Sequence, residues 1–215
     1  MHDIEAVALA DANPNMSDLD RLVNLYWGLS TVLAYGVPGA VVELGCNEGL
    51  TSIWFQKIID HFRPDTAFHV FDSFKGLPAP GVHDAYLVEG ECATTRERLV
   101  ANFERAGLRL PRIHEGWFDE TLPVGCPEQV AFAYLDGDFY DSIMVSLEVV
   151  YPRLAPGALV MIDDYCDNDV NPRAWPGLPG VKKACDEFFA DRPESVSVLV
   201  GTGDLTMGYF RKVAS

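Results

Sequence analysis

The sequence is short of positive charge. Sixteen lysines and arginines stand against 32 aspartates and glutamates over 215 residues, a formal net charge of −16. A surface that negative repels phosphate backbones and anionic lipid, so neither nucleic acid nor a membrane surface is an expected partner. Long apolar runs are missing too, since nothing approaches the roughly 20 residues needed to span a bilayer. The opening MHDIEAVALADANPNM has no basic n-region and is broken by Asp3, Glu5 and Asp11, so it does not read as a signal peptide. Cysteine is scarce: Cys46, Cys92, Cys126, Cys166 and Cys185 are scattered, odd in number and without metal-ligand spacing. That usage predicts reduced thiols in a cytoplasmic protein. Repeats, low-complexity tracts and long linkers are absent as well, which leaves one domain as the expectation.

What is present is an ordinary globular composition, 48% apolar and 22% charged, enough for a real core. Over Ser17–Tyr35 the apolar residues Leu19, Leu22, Val23, Leu25, Tyr26, Leu29, Val32 and Leu33 recur at helical spacing, with Ser17 or Asp18 as cap and Gly36 and Pro38 as stop. Residues 1–38 are therefore read as an N-terminal helical segment and 39–215 as the main domain. Apolar residues left exposed on this first helix would permit a homodimer.

The rest alternates between short apolar runs and amphipathic stretches. AVVELG from Ala40, AFHVFD from Ala67, VAFAYLD from Val130 and ALVMID from Ala158 read as buried parallel strands. A weaker strand, RIHEG, lies near Arg112. Helices are predicted over Gly49–Phe62, Thr94–Ala106, Tyr140–Leu154 and Val181–Asp191. SVSVLVG and LTMGYFRK are separated only by a short connection around Thr202–Asp204 and should form an antiparallel hairpin. The expected fold is a doubly wound, Rossmann-like α/β sheet of about seven strands, its last strand antiparallel and beside strand five. This is the class I methyltransferase architecture.

The first strand ends in Glu43-Leu44-Gly45-Cys46-Asn47-Glu48-Gly49. Glycines at that position let the backbone turn sharply and approach a ligand closely, and the helix beginning near Gly49 offers unpaired N–H groups. Glu43 can hold the turn or meet the positive end of a methionine moiety; a purely structural turn is the alternative. The second strand ends at Asp72, where a carboxylate can accept from both ribose hydroxyls of an adenosyl group or cap the following helix. Asn47, Ser73 and Trp117 join Glu43, Gly45, Gly49 and Asp72 as candidate cofactor residues. His114 could line the same pocket, while His69 reads as core and Lys182 and Lys183 as a solvated helix face.

Two further strand ends carry acid: YLDGDFYDS brings Asp136, Asp138 and Asp141, and MIDDY brings Asp163 and Asp164. In an open parallel sheet these positions meet at the carboxyl-end crevice. So many carboxylates repel one another unless their pKa values rise or a hard cation such as Mg²⁺ binds them. Asp138 or Asp141 could instead cap the helix from Tyr140.

Taken in order, VPGAVVELGCNEG, VFDSFKGLP, EGWFDETLP, YLDGDFYDSIMVSLEVVYPRLAPGALVMIDDY, LPGVKKACDEFF and GYFRK resemble the macrocin O-methyltransferase family. The resemblance implies S-adenosylmethionine and Mg²⁺ as cofactors and a hydroxyl of a small natural-product or sugar acceptor as substrate, as in antibiotic biosynthesis. It also implies that Asp136, Asp163 and Asp164 hold the metal and that Asp138, beside Asp136, is the catalytic base. About 38 residues precede the first strand, fewer than in familiar members, so a smaller or more exposed acceptor is expected. The lysine base of the catechol methyltransferases is missing, its region being held by Phe139 and Tyr140. Two other readings compete: a nicotinamide-dependent oxidoreductase, which lacks its Gly-x-Gly-x-x-Gly signature here, and a cofactor-binding subunit without chemistry.

Overall fold

The computed structural model describes residues 18–214; Ser17 and the rest of the N-terminal stretch lie outside the described residues. Helix α1 (Leu19–Ala34) opens with the Asp18 side chain accepting from the Arg21 N–H at 2.7 Å. It lies flat across the sheet, so close that a Cβ on Gly28 would stand 2.5 Å from the Met161 sulfur.

Strand β1 (Ala40–Leu44) is buried throughout, as a central parallel strand covered on both faces must be. It is followed by α2 (Leu50–Phe62), β2 (Phe68–Asp72), α3 (Arg96–Ala106), β3 (Arg112–Glu115), α4 (Phe118–Gly125), β4 (Val130–Leu135), α5 (Tyr140–Val150), β5 (Leu154–Asp163), α6 (Pro179–Phe189), β6 (Ser197–Leu199) and β7 (Met207–Arg211). The sheet order is β3-β2-β1-β4-β5-β7-β6. The strands β1 to β5 pair in parallel, and β7 runs antiparallel to both β5 and β6. This is the expected seven-stranded sheet ending in a hairpin, with β7 beside the fifth strand.

Helix α4 was not foreseen. It is eight residues long and contains Pro123, so neither a period nor the usual absence of proline marks it. The predicted helix to Leu154 stops at Val150, where Tyr151–Arg153 tightens into a 3₁₀ turn at Pro152. Two apolar layers sandwich the sheet. One carries Trp54, Phe55, Phe103 and the buried face of α1; the other carries Phe139, Leu147, Val181 and Phe188. The loops after β1, β2, β4 and β5 are consequently held at one rim of the sheet.

The five thiols are unpaired. Among the described residues no helix is long and apolar enough to cross a membrane. Lys182 and Lys183 sit on the outer face of α6 and pair with Asp186 and Glu187, each four residues on.

Candidate active site

The sheet's carboxyl-end rim opens into a cavity of about 820 Å³, within the range of small-molecule sites. It is lined by the loops after β1, β2, β3, β4 and β5 and by Arg21 from α1. The order β1-β4 marks the point where the chain reverses direction across the sheet, the usual position of a crevice in this architecture.

At the β1 turn Gly45 has φ +90°, and a Cβ there would stand 1.8 Å from the Asp136 carbonyl oxygen. Only glycine fits. Asn47 (φ 45°) follows, its N–H donating to Asp72 Oδ2 at 2.8 Å, while Asp72 Oδ1 accepts from the Phe74 N–H at 2.7 Å. Each carboxylate oxygen keeps a second lone pair, and Asp72 lines the cavity. Its pKa is raised by burial and partly restored by those backbone donors. Ser73 also lines the cavity, but its hydroxyl donates to the Gly76 carbonyl and accepts from the Lys75 N–H, holding the loop. Trp117, at the start of α4, forms another wall with Phe118.

Two of the expected cofactor residues do not reach the cavity. Gly49 begins α2 with φ +78° and packs toward Leu99. Glu43 is fully buried behind the turn, Oε2 accepting from the Ser52 hydroxyl at 2.5 Å and Oε1 without a hydrogen-bond partner. Of the two roles open to it, the structure favours the turn. Burial pushes its pKa up to about 8, with the Asp72 charge adding to the rise. Its proton is thus held more tightly folded than unfolded, so the stabilisation is complete below the unfolded value and is lost as pH rises through about 8. We expect thermal melts in chelator to fall between pH 5 and pH 9, and Glu43→Gln to flatten part of that slope; an unchanged slope would sink the assignment.

His114 is likewise not in the cavity wall. Its ring stacks on Phe71 with centroids 4.2 Å apart and bonds His69 at 3.0 Å. Burial and the neighbouring His114 push His69 down to about 4, and both imidazoles serve packing between β2 and β3.

At the opposite wall, Asp136, Asp138 and Asp164 come together, each offering an oxygen within 4.8 Å of the others. Burial raises all three, reinforced by the Asp163 charge; Asp138 reaches about 7 and lies within hydrogen-bond reach of Asp164. Asp138 and Asp164 both adopt positive φ, 57° and 56°, a backbone state that aspartate tolerates better than most. Asp138 does not cap α5. That place is taken by Asp84 from a distant loop, whose Oδ1 accepts from the Tyr140 N–H at 2.8 Å.

Asp163, expected to complete the metal set, is turned elsewhere. Its Oδ1 accepts from Arg21 Nε at 2.8 Å and its Oδ2 from the buried Tyr134 hydroxyl at 2.8 Å. The carboxylates that converge are Asp136, Asp138 and Asp164, hard oxygen donors whose mutual repulsion a divalent cation relieves. The site therefore fits such an ion.

A profile described as the macrocin O-methyltransferase (TylF) family matches residues 10–191. The chain belongs to that family. Among its relatives, a 4′-O-methyltransferase of 8-demethyl-8-(2,3-dimethoxy-α-L-rhamnosyl)-tetracenomycin C from Streptomyces olivaceus is 41% identical over 163 residues, 70% of this chain and 62% of that protein. The chain thus spans about three-fifths of that relative's length. Mycinamicin III 3″-O-methyltransferase of Micromonospora griseorubida is 34% identical over 80% of this chain and 69% of its own. The solved structure of the O-methyltransferase NovP superposes with a TM-score of 0.76 at 28% identity, covering 91% of this chain and 81% of that one.

Among the lining residues that the sequence reading did not single out are Arg21, Tyr86, Trp175 and Asp204. The Tyr86 and Trp175 rings meet edge to face, centroids 4.9 Å apart, although 89 residues separate them in the chain. Their exposure, 75% and 36%, leaves faces open at the cavity mouth. Eight aspartates line the cavity, and Arg21 is its one cationic side chain among the described residues.

Proposed function

We propose that the protein transfers the methyl group of S-adenosylmethionine to a hydroxyl of a glycosylated natural product, with a divalent cation such as Mg²⁺ in the acidic group. The observation that carries the reading is the pairing, within one cavity, of the Gly45–Asp72 turn with the carboxylates of Asp136, Asp138 and Asp164.

In this reading Gly45 lets the cofactor lie against the backbone, Asp72 accepts from its ribose hydroxyls, and Trp117 offers a face for adenine. Asp136 and Asp164 hold the cation. When bound, it supplies a Lewis acid that stabilises negative charge developing on the acceptor oxygen. The Asp138 carboxylate would accept the proton of the acceptor hydroxyl as that oxygen takes the methyl group and S-adenosylhomocysteine leaves. Burial and neighbouring charge hold Asp138 near neutrality in proton affinity, suited to a general base. Tyr86 and Trp175 present apolar ring faces to the sugar or its aglycone, and the eight aspartates disfavour an anionic acceptor.

The test is incubation with S-adenosylmethionine, Mg²⁺ and a panel of neutral aryl rhamnosides. Appearance of S-adenosylhomocysteine together with one added methyl on the sugar supports the reading. A folded protein that binds S-adenosylhomocysteine but methylates no glycoside or other alcohol overturns it.

Two variants separate the halves of the cavity. Asp72→Ala should weaken S-adenosylhomocysteine binding about 10- to 150-fold, the loss of hydrogen bonds to a charged acceptor. It should also lower stability, because the Asn47 and Phe74 N–H groups lose their partner. Calorimetry and thermal melts check both, and an unchanged affinity in a folded variant would place the ribose elsewhere. Trp175→Ala should raise KM for an active glycoside by about tenfold, with kcat little changed and cofactor binding intact. A fall in kcat at constant KM would move Trp175 out of the acceptor wall.

A further inference from the structure

The aromatic pair at the cavity mouth is held unequally from its two sides. Trp175 lies on the loop after β5, and that loop is stitched to the turn between β6 and β7. Arg173 donates to the Gly201 and Thr202 carbonyls at 2.8 and 3.0 Å, and the Asn171 side chain donates to the Leu205 carbonyl at 3.1 Å. The Trp175 N–H itself donates to the Asp204 carbonyl at 3.4 Å. Asp20 of α1 grips the same turn, accepting from the Thr202 and Gly203 N–H groups.

Tyr86 has less behind it. Its long loop between β2 and α3 is closed at the base, where the Leu77 N–H donates to the Glu91 carbonyl at 2.8 Å and the Gly90 N–H to the Leu77 carbonyl at 2.9 Å. Beyond that base every residue in 79–90 is exposed except Asp84 and Leu87. Leu87 packs against the core from the cavity side. Asp84 does not line the cavity and points the other way: Oδ1 accepts from the Tyr140 N–H and Oδ2 from the Gly81 N–H, both at 2.8 Å. One carboxylate therefore closes the loop on itself and fastens it to the first turn of α5, whose own preceding residue, Phe139, supplies no side-chain cap. The His83 ring meets that of Tyr140 at the same place, centroids 4.7 Å apart. Gly180 of α6 keeps the space open, since a Cβ there would stand 2.1 Å from Asp84 Oδ1. Two residues on, Tyr86 has φ +76°. That backbone state is costly for an aromatic residue and persists only where surrounding contacts enforce it.

We propose that Asp84 is a positioning residue for acceptor binding: by capping α5 it holds Tyr86 against Trp175 and so sets the affinity of the cavity mouth for an acceptor. The inference rests on the acceptor reading above. Without the cap, the strained Tyr86 relaxes away from its partner ring, and the cost falls on acceptor binding rather than on the fold or the cofactor turn. Because Asp84 acts through Tyr86, its removal costs no more than removal of that ring.

A measurement that needs no activity is fluorine NMR on protein labelled with 5-fluorotryptophan, in which Trp175→Phe assigns the Trp175 signal among the four tryptophans. Asp84→Ala should move that signal to where Tyr86→Ala places it, with the other three signals and S-adenosylhomocysteine affinity unchanged. With an active glycoside, Asp84→Ala should raise KM about fivefold, the weight of a lost helix cap, and leave kcat within about twofold. Asp84→Asn, which keeps an oxygen for the Tyr140 N–H, should restore both the signal and KM. Asp84→Ala/Tyr86→Ala should match the KM of Tyr86→Ala within about twofold. Gly180→Ala displaces the Asp84 carboxylate without removing it and should reproduce the shift; it decides the question if Asp84→Ala does not fold.

A Trp175 signal that keeps its parental position in folded Asp84→Ala overturns the proposal. So do additive KM losses in the double variant. A fall in kcat at constant KM also overturns it, because Asp84 would then act through α5 on Asp138. If the parent methylates no glycoside, the acceptor reading falls and takes the KM claim with it, while the fluorine signal still decides whether Asp84 holds Tyr86.

Discussion

Asp138→Asn should lose turnover by about 10²- to 10⁴-fold while the protein still folds and binds S-adenosylhomocysteine. Asparagine keeps the size of the side chain and tolerates the positive φ of 57° at this position, so the change removes a proton acceptor and one negative charge while keeping the shape. The carboxylate it replaces sits with Asp136 and Asp164, so some cation affinity will be lost with it. Saturating Mg²⁺ therefore belongs in the assay, and the deficit should persist there. Single-turnover methylation of an aryl glycoside is the cleanest readout, because it isolates the chemical step from product release. An Asp138→Asn variant with parental turnover would remove the base from this position and leave the cation as the only source of activation.

Chelation should have an equally large effect. Protein stripped with EDTA is expected to lose about 10²- to 10⁴-fold in rate, in keeping with several kcal/mol of charge stabilisation at the acceptor oxygen. Mg²⁺ added in excess of the chelator should restore it. Asp164→Ala should reproduce the loss and resist restoration, since the carboxylate that faces Asp136 and Asp138 is gone. The stripped protein should also become less stable as pH rises from about 5 to 8. Asp136, Asp138 and Asp164 all have raised pKa values through burial and the neighbouring Asp163 charge, so they hold their protons better folded than unfolded. Mg²⁺ should flatten that decline by replacing the protons. Full methylation in EDTA would end the metal reading.

Much of the frame was legible because it depends on local chemistry. The runs that became β1, β4 and β5 are mostly apolar, as strands covered on both faces must be, with Glu43 in β1 and the closing Asp163 of β5 as exceptions. The alternation of those runs with helical spacing leaves a parallel sheet as the economical solution. Gly45 was identifiable as a backbone requirement, and the structure supplies the reason in the Asp136 carbonyl against which any side chain would collide. Helix α4 was missed, being only eight residues long with Pro123 inside it.

The site itself divides differently. That acid gathers at the ends of β4 and β5 follows from YLDGD and MIDD once those segments are strands of one sheet. Which carboxylates face each other does not follow, because neighbours such as Asp163 and Asp164 leave the strand end in different directions. Asp163 turned to Tyr134 on the adjacent strand and to Arg21 on a helix 142 positions earlier. Nothing in the spacing of α1 distinguishes Arg21 from an exposed cation at a helix start. Tyr86 and Trp175 were equally silent, being aromatic residues in two loops with no period to report.

The sequence by itself determined the doubly wound sheet, its closing hairpin, the glycine turn and the acidic strand ends, since each rests on residues close together in the chain. Only the tertiary structure decided that Glu43 stays behind the turn, that Asp138 rather than Asp163 joins Asp136 and Asp164, and that Arg21, Tyr86 and Trp175 complete the cavity. Those outcomes depend on which side chains meet across elements far apart in sequence, and on the burial and charge that their meeting creates.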